Sequence, residues 1–323
     1  MLQKNSAPRE VFKAKLKIDK MSGLNNLFKG SGSFYDCEPN SFDVLIVDEA
    51  HRLNKKSGLF SNLGENQIKE IINSSKFSIF FIDENQRVTL KDNGSIDEIK
   101  KYARYYNAGI HKMELKSQFR CDGSDGYLAW LDNVLEIRGT ANFDLDSKYD
   151  FKVFDDPNEL RKAIEKKNRI NNKSRLVAGY CWNWISEGKN KSDVYDITIP
   201  EYNFGMSWNL GNSSTWAIDK ESVNEIGCIH TCQGLEFDYV GVIIGDDLRY
   251  ENDHIVTDYT KRAKTDQSIK GINKIAKEEG IEEAKRITDS IIKNTYKTLM
   301  TRGMKGCYVY CIDKKLSNYL KNR

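Results

Sequence analysis

Seven short apolar runs punctuate this chain: "FDVLIVD", "FSIFFID", "MELKSQF", "SRLVAGYCWNW", "NEIGCIH", "YVGVIIG" and "GCYVYCID". Most are continuous rather than alternating, the pattern of strands covered on both faces, as in parallel sheets. Between them lie segments with apolar residues at helical spacing, among them "NQIKEIINSS", "GSIDEIKKYARYY", "PNELRKAIEKKNRI" and "IEEAKRITDSIIKNTYKTLM". Strands alternating with helices predict an α/β fold built on parallel sheets. The 323 residues allow two domains at about 100–200 residues each. The boundary is expected near Ala108, ahead of "GIHKMELKSQFR", giving residues 1–108 and 109–323. Within the second part, the aromatic and polar stretch from Tyr195 to Trp216 reads as an irregular insertion. The charged stretch from Lys261 to Arg286 reads as an exposed helical excursion.

Hydrophobic residues make up 39% of the chain and charged residues 30%, which suits a globular protein with real cores. A net charge of +3 makes no case for nucleic acid by itself, although a local basic groove is compatible with it. The opening "MLQKNSAPRE" lacks an apolar signal core. No run approaches the roughly 20 apolar residues that span a bilayer. The expectation is a cytoplasmic protein with no membrane partner. Seven cysteines, scattered among apolar strands, read as reduced thiols rather than a disulfide framework.

Five stretches carry candidate chemistry. In "LIVDEAH" an apolar run ends in Asp48 and Glu49. Ligands of parallel α/β sheets bind beyond the carboxyl ends of the strands. There Asp48 suits Mg²⁺, a hard cation, and Glu49 suits a water attacking a γ-phosphate. Equally, Asp48 serves as a cap for the following helix. "FFIDENQRV" places Gln86 where it can sense a γ-phosphate; the competing reading is a turn built by Asp83, Asn85 and Gln86. In "LKSQFRC", Arg120 has the fork that suits phosphate oxygens, as well as surface ion pairs. "IHTCQGLEFDYVGVIIG" offers His230 and Gln233 to a nucleic-acid strand and Glu236 to a ribose hydroxyl, with Gly234 permitting close backbone approach. "TLMTRGMKGCYVYCID" puts Arg302 between a helix and the last strand, where it can stabilise a transferring phosphoryl group.

In this order the five stretches resemble motifs II to VI of superfamily 1 helicases. More narrowly they resemble the bacterial P-loop family related to the helicase-like domain of Schlafen proteins. The resemblance covers nearly the whole chain. It implies two RecA-like parallel-sheet domains, with ATP between them and single-stranded DNA or RNA across the top. It implies Asp48 and Glu49 as the Mg²⁺ and water-activating pair, and Gln86 as the phosphate sensor. Arg120 and Arg302 become the arginines from the second domain. Glu236 becomes the ribose ligand, and His230 and Thr231 neighbours of the nucleic-acid strand.

One part of the pattern is missing. The phosphate loop reads G-x-x-x-x-G-K-[ST]. The one Gly-Lys pair, Gly188-Lys189, is followed by Asn190, and the signature is absent from these residues. That loop's amides and lysine hold the phosphates, so weak ATP binding and negligible turnover are expected of this chain alone. By resemblance, "NSAPREVFKAKL" corresponds to a segment after the loop, and the first domain reads as incomplete. Truncation, a separate polypeptide supplying the missing segment, and a non-catalytic module binding nucleic acid or a partner are three competing explanations. The retained acids and arginines favour truncation. Other chemistries find less support. C-x-H-x-C at Cys228, His230 and Cys232, with Cys307 and Cys311, is not a usual zinc spacing. The cluster Tyr180, Trp182, Trp184, Trp208 and Trp216 suits core packing better than base stacking. No H-E-x-x-H, Ser/His/Asp set or nuclease-like acid cluster stands out.

Overall fold

The structure, a computed structural model, describes residues 1–17, 27–58, 61–115, 121, 125–145, 149–185, 194–209 and 214–323. The chain divides into two compact units, Met1–Leu115 and Lys116–Arg323.

The first unit contains α1 (Ser6–Leu16), β1 (Phe42–Val47), α2 (Gln67–Ser74), β2 (Ser75–Phe80) and α3 (Ile96–Tyr105). β1 and β2 pair in parallel, with Val47 opposite Phe80. On the other side of β1, Leu2 donates from N to Ile46 O at 2.7 Å and accepts from Asp48 N at 2.9 Å. Helix α2 starts where Asn66 accepts from the amides of Ile68 and Lys69, satisfying donors that a helix start leaves open. Leu45 and Val47, two apart on β1, point to one face and join Leu2, Phe34, Leu53, Ile68 and Ile71 in a buried cluster. Val44, Ile46 and Phe77 are exposed. The continuous apolar run predicted cover on both faces; Leu45 and Val47 are covered, and Val44 and Ile46 are not.

The second unit is built on a five-stranded sheet. Its strands are β3 (Asp150–Phe154), β4 (Ser174–Ala178), β7 (Ile226–Gly227), β8 (Phe237–Ile244) and β11 (Gly303–Cys311). The order is β3-β11-β8-β4-β7 and every pairing is parallel. Two short antiparallel pairs stand apart: β5 (Ile197–Ile199) with β6 (Phe204–Met206), and β9 (Leu248–Glu251) with β10 (His254–Thr257). The helices are α4 (Asp125–Val134), α5 (Pro157–Asn171), α6 (Ile229–Cys232), α7 (Ile272–Glu278), α8 (Ile281–Met300) and α9 (Lys314–Lys321). Asp156 caps α5 through Asn158 N at 2.7 Å, and Pro157, with no amide to lose, opens its first turn. Leu160 and Ile164 of α5 then bury against Leu176 and Ile243. Gly179, directly after β4, has no room for a side chain: a Cβ there would lie 1.9 Å from the Tyr296 hydroxyl.

The expected α/β character and parallel sheet are present. Three local expectations change. Met113 and Leu115 of "MELKSQF" lie in no strand and are exposed; residues 116–120 of that run lie outside the described residues. The stretch read as irregular contains the β5–β6 hairpin, whose Ile197, Ile199, Phe204 and Met206 are buried, with Trp208 beside them in the core. The charged stretch from Lys261 to Arg286 is partly interior: Arg262, Ala263, Asp266, Ser268 and Ile272 are buried, because opposite charges pair inside it.

Candidate functional site

In the first unit, β1 delivers its acids as the sequence suggests. Asp48 follows Val47 directly; its Oδ1 accepts from Glu49 N at 3.0 Å and its Oδ2 from Gln3 Nε2 at 2.6 Å. It does not cap a helix. Glu49 occupies the left-handed region, with φ 53° and ψ 44°. That conformation is costly for a non-glycine residue and persists where its surroundings dictate it. Here Ala50 N is bonded to Phe81 O at 2.8 Å, beyond β2. The chain then makes a short 3₁₀ turn, Ala50–Arg52.

His51, buried, sits between the two strand ends. Its Nε2 lies 3.0 Å from Glu49 Oε2. Asp83 N donates toward its Nδ1 at 3.5 Å. Both ring nitrogens are thus engaged, one with Glu49 and one with the backbone at Asp83. Asp83 in turn accepts from Gln86 Nε2 at 2.8 Å and from Asn85 N at 3.0 Å. The turn reading of "IDENQRV" is therefore realised, and Asp83 and His51 link Gln86 to Glu49. Behind the cluster, buried Asp92 takes Arg52 Nε and Lys4 Nζ, each at 3.0 Å. It also accepts from the amides of Val88 and Thr89. Burial pushes its carboxyl up, but Arg52 and Lys4 outweigh burial and hold it below the usual carboxylate range.

The oxygen-rich end of β1 fits one side of a Mg²⁺ shell. Asp48 supplies a carboxylate, and Gln3 has a buried amide oxygen with no hydrogen-bond partner among the described residues. Mg²⁺ commonly takes one or two carboxylates and fills its octahedron with water and substrate phosphates. These residues therefore suit a shared site rather than a protein cage.

In the second unit, α6 follows β7. Thr231 Oγ1 accepts from Cys228 N and donates to Cys228 O, both at 2.9 Å, so its hydroxyl closes the helix start. His230 is half-buried, and its Nε2 lies 3.5 Å from Ser268 Oγ. Gln233 is buried, whereas Glu236, just ahead of β8, is exposed. Arg302 is fully buried. Its Nε donates to Thr298 O at 3.0 Å and its Nη1 to Leu235 O at 3.3 Å. Its own carbonyl accepts from Phe237 N at 2.8 Å. Arg302 thus stands at the segment running from Gln233 to Glu236 and knits it to the end of α8. Arg120 lies outside the described residues. Cys228, Cys232, Cys307 and Cys311 are buried free thiols; burial raises that of Cys232 to about 12. Among the described residues no group of three or more His, Cys, Asp or Glu is arranged to hold a metal ion.

Sequence reasoning assigned no role to His51, Gln3 or the Lys4–Arg52–Asp92 group. His51 was visible as the fourth letter of "DEAH"; the others carry no signal, because their partners lie 40 or more residues away.

The class these features point to is helicase-like. The family model for Schlafen group 3, DNA/RNA helicase domain, matches residues 1–313, and the chain belongs to that family. It is also similar to an uncharacterised protein of Saccharomyces cerevisiae, 27% identical over 302 residues. The match covers 86% of this chain and 64% of the yeast protein, so the chain spans less than two thirds of that relative. No helix among the described residues is long and apolar enough to cross a membrane.

Proposed function

We propose that this chain is the larger part of an ATP-driven superfamily 1 machine acting on single-stranded DNA or RNA, with two RecA-like units of which the first is completed by a further segment. The observation that carries the reading is the loop cluster beyond β1 and β2. Asp48 and Glu49 follow β1, and Gln86, in the turn after β2, is linked to Glu49 through Asp83 and His51; the carboxyl ends of parallel strands are the edge where such sheets take ligands. Asp48 would hold Mg²⁺ directly or through water. Glu49, beside His51, would orient the attacking water. Gln86, tied to Asp83, would sense the γ-phosphate. When bound, Mg²⁺ would neutralise charge building on the phosphate oxygens. His230, Thr231 and Gln233 would follow the nucleic-acid strand, and Glu236 a ribose hydroxyl. Arg120 and Arg302 would act on phosphate; for Arg302 that role means leaving its two carbonyl partners. The exposed Val44, Ile46 and Phe77 and the outer edge of β2 would receive the segment bearing the glycine-rich loop, joined to the chain or supplied by a separate polypeptide.

A second reading is a binding module without hydrolysis. Two observations favour it for the chain as given: the phosphate-loop signature is absent from its sequence, and Arg302 is buried on backbone carbonyls. ATP turnover with and without single-stranded DNA separates the readings. The chain alone is expected to turn over negligibly. Joined to a segment carrying the loop, it should hydrolyse ATP, and Glu49→Gln should slow it by about 100-fold or more, the scale of general-base loss. Robust hydrolysis by the chain alone, or an unaffected Glu49→Gln, contradicts the first reading.

A further inference from the structure

The stretch read as a solvated charged excursion contains an interior polar chain. Arg262 and Asp247 are fully buried at their side chains, and Arg262 Nη1 meets Asp247 Oδ2 at 3.2 Å. Arg262 Nε meets Asp266 Oδ2 at 2.6 Å. Tyr296 of α8 donates its hydroxyl to Asp247 and accepts from Gly245 N. The other oxygen of Asp266 accepts from Ser268 N at 2.8 Å. Ser268 is itself fully buried. Its hydroxyl has one hydrogen-bond partner among the described residues, His230 Nε2 at 3.5 Å.

A buried arginine between two carboxylates is held hard, because removing any member strands an uncompensated charge. Asp266 is therefore fixed, and it fixes the backbone of Ser268. The hydroxyl is then presented to the imidazole from a rigid frame anchored at the end of β8 and on α8. A fixed partner at one ring nitrogen narrows the orientations an imidazole can take.

We propose that Ser268 is a positioning residue for nucleic-acid binding: with the Asp247–Arg262–Asp266 frame behind it, it sets the ring of His230 for contact with a single strand. This rests on the reading of the loop from His230 to Gln233 as a nucleic-acid contact. It adds a residue from a segment outside every motif, 38 positions along the chain.

The test is anisotropy of a fluorescein-labelled oligodeoxythymidine titrated with the wild-type chain and with His230→Ala, Ser268→Ala and Ser268→Thr, beside the ring-proton NMR shifts of His230. Those shifts are assigned by their loss in His230→Ala. Ser268→Ala should weaken binding about fivefold, the worth of one net hydrogen bond, and should move the His230 ring shifts. Ser268→Thr, which keeps the hydroxyl, should restore both. Weakened binding by His230→Ala with unchanged binding by Ser268→Ala overturns this proposal and leaves the loop reading standing. Unchanged binding by His230→Ala overturns the loop reading, and the proposal with it. Weakened binding by Ser268→Ala with unmoved His230 shifts and no rescue by threonine assigns Ser268 a merely structural part and also overturns the proposal.

Discussion

Asp92 gathers four donors from three separate segments: Lys4, Arg52, and the amides of Val88 and Thr89. Its carboxyl sits below the usual range in the folded state. A depressed acid contributes stability above its unfolded value, near 3.9, and loses it as pH falls through the folded value. Urea denaturation of the first unit should therefore show stability falling below about pH 4. Asp92→Asn should flatten that acid limb. At neutral pH it should cost roughly 3–5 kcal/mol, because Arg52 would stay buried beside a neutral amide. An unchanged acid limb contradicts this assignment. None of it was readable in advance: "KDNGS" looks like a turn, and the cations that make it a centre arrive from residues 4 and 52. Glu49 and Asp48 were legible because an apolar run followed directly by two acids is a local signal. The strained φ of Glu49 was not, since it depends on Phe81 across the sheet.

Helix α8 was legible almost to the residue, because a long pattern at helical spacing ends in a strand of different period. Its last turn holds the surprise. The sequence offers Arg302 as a phosphate ligand, and the structure commits its guanidinium to Thr298 O and Leu235 O. Lysine lacks the planar fork that reaches both. Arg302→Lys should thus lower stability by about 2 kcal/mol or more, read as a drop in Tm without ATP or nucleic acid. A change within about 0.5 kcal/mol, typical of surface positions, would show the buried bonds to be dispensable. The β5–β6 hairpin was missed for a different reason. Its strands are three residues each and its turn, Pro200–Tyr202 closed by left-handed Asn203, contains no glycine. Short strands without a glycine turn leave little local trace. The Arg262 frame was missed because a charged stretch reads as solvated until its partners are known, and Asp247 stands 15 positions away.

At the scale of the molecule, a net charge of +3 leaves nucleic-acid affinity to local groups rather than to a global field. The family match runs over residues 1–313, and the five motif stretches lie within it in order. The central claim is that the segment from His230 to Gln233 engages a single strand. The direct measurement is anisotropy of a labelled single-stranded oligonucleotide against the wild-type chain and His230→Ala at moderate salt, about 0.1 M, with circular dichroism confirming that both are folded. Saturable binding that weakens several-fold in the variant is the predicted result. Absence of binding by the folded wild type, or equal binding by both, would contradict it.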